Sequence, residues 1–394
     1  MTATARIDRT ETPPDAPIDL ADVRQRILAN RRALTGAFFE RTDILKAFDV
    51  AAICQEHVLL VGLPGTAKSD MARVWASQFG GGLYHEHLFT RQSTISDHLA
   101  YLDVKAFTEG RHEYRYDGKL TEAHIAFGDE CFKATGGFLN ALLGWLNERN
   151  VLGGYKSPLV TFIGASNEFG EDESVAALED RLLIRFWVEP IGARANLLAF
   201  LSGSATPRAA LSLAPVLIAE LRAAHEASRA IPCDPLVFDA LADIRQSLKG
   251  AGHYVSDRRL AKCVRILQAF AWLDGASAVE VDHVDFLRNV LWRRPEDRPA
   301  VEAALGAINR GIVGEIRTLV DKALQDYQAA KDAQDFAQHA LSAADKIRKA
   351  SLDIKARFGS KNVPDRVKDR IKAYQAELKA AFDEAKAASA ELRI

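Results

Sequence analysis

The sequence predicts an α/β core with a parallel sheet between layers of helices, then an all-helical domain and a helical C-terminal extension. Three apolar runs, at 58–61, 124–128 and 159–166, each empty into a polar or glycine-bearing loop, and amphipathic stretches separate them as crossover helices would. The strand signal stops near Gly203. Beyond Gly306 apolar residues recur at three-four spacing with charges elsewhere.

The first run, Val58 to Val61, opens into Gly62-Leu63-Pro64-Gly65-Thr66-Ala67-Lys68-Ser69. In such a loop successive backbone N–H groups turn toward a bound anion, small residues allow close approach, and the following helix adds its positive end. Lys68 would reach the β and γ phosphates of a nucleotide, and the Ser69 hydroxyl would complete a Mg²⁺ site. Ala67 stands where a glycine is usual, and its methyl group is tolerable if the backbone keeps helical angles.

The second run, His124 to Gly128, delivers Asp129 and Glu130 at its end. In a nucleotide triphosphatase the aspartate orients the Mg²⁺ shell and the next acid polarises the attacking water. Gly128 replaces the bulky apolar residue usual before such a pair, which is expected to loosen the strand end. The third run, from Leu159, ends at Asn167. An asparagine after a strand is often a cap or turn former, and its order behind the other two motifs is what makes it a candidate for positioning water against the γ phosphate.

These motifs resemble the AAA+ ATPases, and within them the MoxR family, most closely its RavA-like branch. The matching stretches are Gly62 to Ser69, Gly128-Asp129-Glu130 with Phe132-Lys133-Ala134 and Phe138 to Leu143, Leu146-Asn147-Glu148-Arg149, Ala165-Ser166-Asn167-Glu168, Ala177 to Arg181, and Val255-Ser256-Asp257-Arg258-Arg259. The resemblance covers about residues 20 to 300 and treats the alanine at 67 as a family habit. It implies a ring, usually hexameric, with ATP and Mg²⁺ held between subunits. It also implies that Arg181 is the arginine finger reaching a neighbour's γ phosphate, with Arg185 as fallback. Arg258 resembles the second sensor, a lid arginine contacting nucleotide in its own subunit, with Arg259 beside it.

On this basis residues 1–17, with Pro13-Pro14, form a disordered tail, and 18–205 form the nucleotide-binding domain. Residues 206–305 form the helical lid, after a linker at Gly203 to Pro207. Two insertions fall within the core. Between about 95 and 119, a short helix precedes a β-hairpin running from Phe107 to Tyr116 and turning at Glu109-Gly110, at the place of the family's helix-2 insert. A turn at Val151 to Tyr155, within about 150–158, resembles the pre-sensor hairpin. Basic and aromatic residues of the first hairpin could grip nucleic acid or protein, although Tyr114 and Tyr116 also alternate as in any half-buried strand. Residues 306–394 read as an antiparallel helical hairpin. Its first helix carries Ile312, Ile316, Leu319, Ala323 and onward to Ile347, a break lies at Phe358 to Asp365, and Val367 to Leu392 carry the second. It resembles the helices that follow the lid in RavA-like proteins, without the β-rich domain inserted there in RavA.

Composition agrees. The 394 residues are 48% hydrophobic with a formal net charge of −2, enough apolar content for real cores and no global attraction to nucleic acid or anionic membranes. No apolar run is long enough to span a bilayer and no signal-peptide segment is visible. Cys54, Cys131, Cys233 and Cys263 lack metal-ligand spacing and suit a reducing cytoplasm. Oxidation of Cys131, next to Glu130, would matter if it were reactive, but an inert core thiol is the default. Two function classes are in view. The resemblance implies a remodelling chaperone acting on a partner with a von Willebrand A domain or on a metalloenzyme client. The alternative is a nucleic-acid motor or a nucleotide-gated scaffold, against which the near-neutral charge argues.

Overall fold

The computed structural model describes all residues except 1, 2, 7–16, 171, 172, 205, 207–210, 310, 311, 333–335, 359–364 and 391–394. The chain divides into two compact units. The first comprises Met1–Pro232, Ser256–Val279 and Asn289–Pro295, and the second Cys233–Val255, Glu280–Arg288 and Glu296–Ile394.

The first unit is built on a six-stranded sheet in the order Ala3–Arg6, Leu83–Leu88, Ile125–Asp129, Thr161–Ser166, Val58–Val61, Ile184–Trp187. The last five are parallel, so their C-terminal ends share one edge, where helices cover the faces and loops are free to line a ligand site. The register sets Val61 beside both Ser166 and Trp187, and Gly128 beside Gly164. Val58 to Val61 and Thr161 to Ser166 are buried throughout, as strands covered on both faces should be. Beneath the sheet, Phe162, Trp145, Leu142, Phe138 and Leu182 form one apolar cluster.

A strand stands where a tail without structure is expected. Ala3–Arg6 pairs antiparallel with Leu83–Leu88; the rest of the expected tail, apart from Pro17, lies outside the described residues. Ala-Thr-Ala-Arg is too short to show a period of two, so composition gave no signal for it.

The insert differs from the expected hairpin. Phe107 lies in a helix, Val104–Thr108, and the ribbon pairs Tyr101–Leu102 with Tyr114–Arg115. Asp103 caps that helix by accepting from the N–H groups of Lys105 and Ala106, a local signal that the alternating tyrosines obscured. Glu109-Gly110 does turn the chain, with Gly110 at φ 80°. The pre-sensor segment is a tight turn, with Val151 N–H donating to Tyr155 O and Asn150 bridged to Lys156. Tyr116 stacks on Tyr155 at 4.1 Å and donates its hydroxyl to Leu152 O, so the two insertions are one assembly.

Helices expected beyond the sheet are present. Ile218–Arg229 and Asp257–Asp274 belong to the first unit; Pro235–Gly250 and Arg298–Asn309 belong to the second. The linker expected at 203–207 falls partly outside the described residues.

The C-terminal extension is three helices and not a hairpin: Ile312–Lys331, Phe336–Phe358 and Asp365–Ala390. Ile316, Val320 and Tyr327 pack with Ala344, Ile347 and Ile354, and both rows pack with Tyr374 and Leu378. The three-four spacing continues in phase across Asp332 to Asp335 without glycine or proline, so periodicity reads two helices as one. The expected break at Phe358 to Asp365 lies mostly outside the described residues.

Candidate active site

A cavity of about 860 Å³ opens at the C-terminal edge of the sheet. Its floor is the loop from Pro64 to Ser69 with the pair Asp129-Glu130 and Asn167, delivered by the ends of three different parallel strands. Its size is that of ordinary small-molecule sites.

The glycines in the loop answer to separate demands. A Cβ on Gly62 would stand 2.2 Å from Val188 O, because the neighbouring strand's continuation passes directly against it. Gly65 has open space but φ 79°, a left-handed conformation that favours glycine. Ala67 is also left-handed, at φ 62° and ψ 27°. The usual glycine preference at this position is therefore conformational, and alanine meets it at a cost of about 1–2 kcal/mol instead of in the right-handed helical angles expected. No side chain caps the helix Lys68–Ala76, whose first residues Lys68, Ser69 and Asp70 line the cavity, which leaves its first N–H groups available to an anion.

Lys68 is 7% exposed and donates to Gly62 O at 2.7 Å, Leu63 O at 3.0 Å and Asn167 Oδ1 at 3.1 Å. Burial lowers its pKa, opposed by the charges of Asp129 and Glu130. The Asn167 amide in turn donates to Glu130 Oε1 at 2.5 Å. Lysine, amide and carboxylate thus form one continuous line along the cavity floor.

Glu130 sits at φ 52°, a strained conformation for a residue with a side chain. Its N–H donates to Asp129 Oδ1 at 3.0 Å. Burial raises the Asp129 carboxyl, the Glu130 N–H opposes that, and the Glu130 charge adds to the rise. The half-buried Asp129 carboxylate and the Ser69 hydroxyl both line the cavity, an oxygen donor set suited to a hard divalent cation. The residues present therefore fit Mg²⁺.

Gly128 does not loosen its strand. A Cβ there would stand 2.6 Å from Phe162 Cζ and 3.0 Å from Phe89 Cε2, so aromatic rings occupy the volume a bulky residue would fill. Cys131, directly after Glu130, is fully buried and burial raises its thiol pKa, the setting of an inert core residue.

None of the four arginines singled out from the sequence lines this cavity. Arg185 is wholly buried, donating to the carbonyls of Leu182, Trp292, Arg293 and Glu179. Arg259 is 4% exposed and donates to Val290 O, Leu183 O and Asp180. Both hold the fold. Arg181 and Arg258 differ: Arg181 pairs with Asp180 at 3.0 Å, and Arg258 reaches Asn147 Oδ1 at 2.9 Å on an exposed surface. Burial, and then the positive charge of Arg258, lower the pKa of Arg181, so the two guanidiniums share a neighbourhood.

Sequence reasoning missed the opposite wall. Phe38, Phe39 and Arg41 line it together with Pro190, Ile191, Leu197 and Phe200. Glu40 joins the two segments, accepting from Gly192 N at 2.8 Å, Ala193 N at 2.9 Å and Asn196 Nδ2 at 2.8 Å. These donors hold its carboxyl down at about 2. The available signal was topological: whatever follows Ile184–Trp187 must cross the same sheet edge.

A family model described as the MoxR domain in the MoxR-vWA-beta-propeller ternary systems matches residues 25–218, and a model of an AAA lid domain matches 236–305. Two uncharacterized proteins of Methanocaldococcus jannaschii are each 32% identical, one over 284 residues (71% of this chain, 73% of the relative) and one over 305 residues (75% and 80%). A crystal structure of a candidate ATPase from Cytophaga hutchinsonii superposes with a TM-score of 0.58 at 14% identity, covering 73% of this chain and 95% of its own. At that identity the likeness is one of fold.

Proposed function

Because this chain belongs to the MoxR-type AAA+ ATPase family, we propose that it binds and hydrolyses ATP and uses the cycle to remodel or activate a partner protein. One observation supports the reading most: Lys68, Asn167 and Glu130 are joined in one line on the floor of a cavity that also receives Ser69 and Asp129. Lys68 then binds the β and γ phosphates, where three acceptors hold its ammonium now. Asn167 orients water. Glu130 takes the proton from that water as its oxygen bonds the γ phosphorus and the bond to the ADP oxygen breaks, giving ADP and phosphate. Ser69 and Asp129 would hold Mg²⁺, which when bound would supply charge neutralisation for the phosphates. Phe38, Ile191, Leu197 and Phe200 offer the apolar wall for the base.

The chain has no cationic group in its own cavity beyond Lys68 and Arg41 among the described lining residues. The reading therefore needs transition-state charge stabilisation from a second copy, in a ring expected to be hexameric. Arg181 is the assigned finger, favoured over the buried Arg185. Arg258 is our candidate for the second sensor, acting on nucleotide in its own subunit, favoured over the buried Arg259.

A protein partner is favoured over nucleic acid by the insert. Residues 101–119 carry four acidic and four basic side chains, and Arg111 and Arg115 are already paired with Glu109, Glu113 and Asp103. Val104 and Phe107 stand 74% and 50% exposed beside them. Such a surface suits a polypeptide better than a phosphate backbone. The family model's description supports a von Willebrand A partner. The likeness to the RavA-like branch rests on the sequence motifs together with the helices after the lid, and a cytoplasmic setting is part of the proposal; no described helix is long and apolar enough to cross a membrane.

The deciding experiment measures ATPase rate and solution mass together, with and without ATP and Mg²⁺. The expected result is turnover that rises with protein concentration, abolished binding in Lys68→Ala, and binding without turnover in Glu130→Gln. Mixed Arg181→Ala and Lys68→Ala subunits should partly restore one another. A monomer that binds ATP and never hydrolyses it would sink the reading in favour of a nucleotide-gated scaffold, and stimulation by DNA in place of protein would favour a motor.

A further inference from the structure

The carboxylate of Glu130 has two ends in different surroundings. Oε1 accepts from Asn167 on the cavity side, whereas Oε2 is buried, meets no hydrogen-bond donor among the described residues, and has the Lys133 ammonium 3.3 Å away. Lys133 also closes the turn that carries the acid, its N–H donating to Glu130 O at 2.9 Å. It does not line the cavity, and its side chain is 46% exposed.

We propose that Lys133 is a positioning residue for Glu130, fixing the orientation of the carboxylate from outside the cavity while Asn167 fixes it from within. The inference rests on the assignment of Glu130 as the water-polarising acid. Glu130 faces two ammonium groups. Lys68, on the cavity floor, is joined to it through the Asn167 amide. Without Lys133 the carboxylate keeps one counter-charge only, that of Lys68, and swings toward the phosphate site. There it meets the γ phosphate as a like charge and loses its line to the water. An ion pair this exposed contributes little to folding. Its effect on rate is larger, since misplacement of a reacting group by about 1 Å costs up to about 100-fold.

The test is a set of variants in the full-length protein: Lys133→Met, Lys133→Arg, Glu130→Gln, and Glu130→Gln with Lys133→Met. Steady-state ATPase gives kcat and KM, single-turnover hydrolysis of labelled ATP gives the slow variants, and thermal melting checks folding. Expected are a loss in kcat of about 10-fold or more in Lys133→Met with KM for ATP within about twofold, and recovery of most of the rate in Lys133→Arg. The double variant should be no slower than Glu130→Gln alone, because a positioning residue has nothing left to position. A wild-type kcat in Lys133→Met beside a stalled Glu130→Gln overturns the inference alone, as does a double variant slowed by the full factor again. A wild-type rate in Glu130→Gln overturns the underlying assignment and the inference with it.

Discussion

Asn167 Nδ2 donates to Glu130 Oε1 at 2.5 Å, joining the residues that leave two adjacent parallel strands, Thr161–Ser166 and Ile125–Asp129. The other end of the same amide accepts from Lys68 at 3.1 Å. A single side chain therefore links the phosphate loop to the acid, and both ends of the amide are committed in opposite senses, one as acceptor and one as donor.

Replacing Asn167 by Ala should lower kcat by about 10²-fold, since the water and Glu130 lose the group that positions them. Lys68 keeps its two carbonyl partners, so KM for ATP should change by no more than about threefold. Asn167→Asp should be worse, since it sets a second carboxylate against Glu130. Steady-state kinetics decide. An alanine variant that keeps the wild-type kcat would remove Asn167 from the chemistry.

Gly62 and Gly65 should fail differently when changed to alanine. At Gly62 the new Cβ meets Val188 O at 2.2 Å, backbone against backbone, and neither can give way without moving a strand end. At Gly65 nothing lies within 4 Å and the cost is conformational, about 1–2 kcal/mol. Chemical denaturation should show Gly62→Ala losing more stability, with ATP binding lost beside it, while Gly65→Ala stays folded and binds weakly. Equal losses would mean that the Val188 approach relaxes.

The contrast between these glycines marks what a sequence discloses. Lys68, Ser69, Asp129 and Asn167 were legible because local chemistry names them: a loop pattern, an acid pair, a polar residue at a strand end. Arg41, Pro190 and Phe200 were not, because the order of strands in the sheet brings them to the cavity and no local spacing records that order. Arg181 and Arg185 look alike as letters; burial separates them, with Arg185 at 0% exposure and Arg181 partly exposed. The parallel α/β class was readable from alternating apolar runs and amphipathic stretches. The split of the first expected C-terminal helix into Ile312–Lys331 and Phe336–Phe358 was not, because the apolar seam runs in phase across it.

Gly128 and Phe162 should be coupled. Gly128→Ala forces a methyl group to 2.6 Å from Phe162 Cζ, an overpacking that costs about 1–3 kcal/mol. Phe162→Leu alone leaves a gap and also destabilises. The two together should be more stable than the sum of the single losses predicts, by about 0.5–3 kcal/mol in a double-mutant cycle. Strict additivity in urea unfolding would show that the ring does not hold the space at Gly128.

Asp49 should make the fold lose stability as pH rises toward neutrality. It lies in the helix Thr42–Cys54, 3% exposed, with Trp75 Nε1 donating to Oδ1 at 2.8 Å. Arg31 Nε is 3.7 Å from Oδ2, too far for a hydrogen bond, and Oδ2 has no hydrogen-bond partner among the described residues. Burial pushes the carboxyl up to about 7, against the opposing pulls of Arg31 and Trp75. An unfolded aspartate titrates near 3.8, so between about pH 4 and 7 the folded chain holds a proton that the unfolded chain has released. Stability contributed by that proton is full below about 4 and falls by up to about 1.4 kcal/mol per pH unit as pH rises, levelling above 7. Asp49→Asn keeps an acceptor for Trp75 and removes the titration. The difference in stability between variant and wild type should therefore shift in favour of the asparagine from pH 5 to pH 7 and then stay constant, with the chain's other acids cancelling in the comparison. Urea unfolding at half-unit steps from pH 5 to 8 measures it. A difference that does not change with pH would mean that Asp49 is ionised throughout that range, with Arg31 closing the gap to stabilise it.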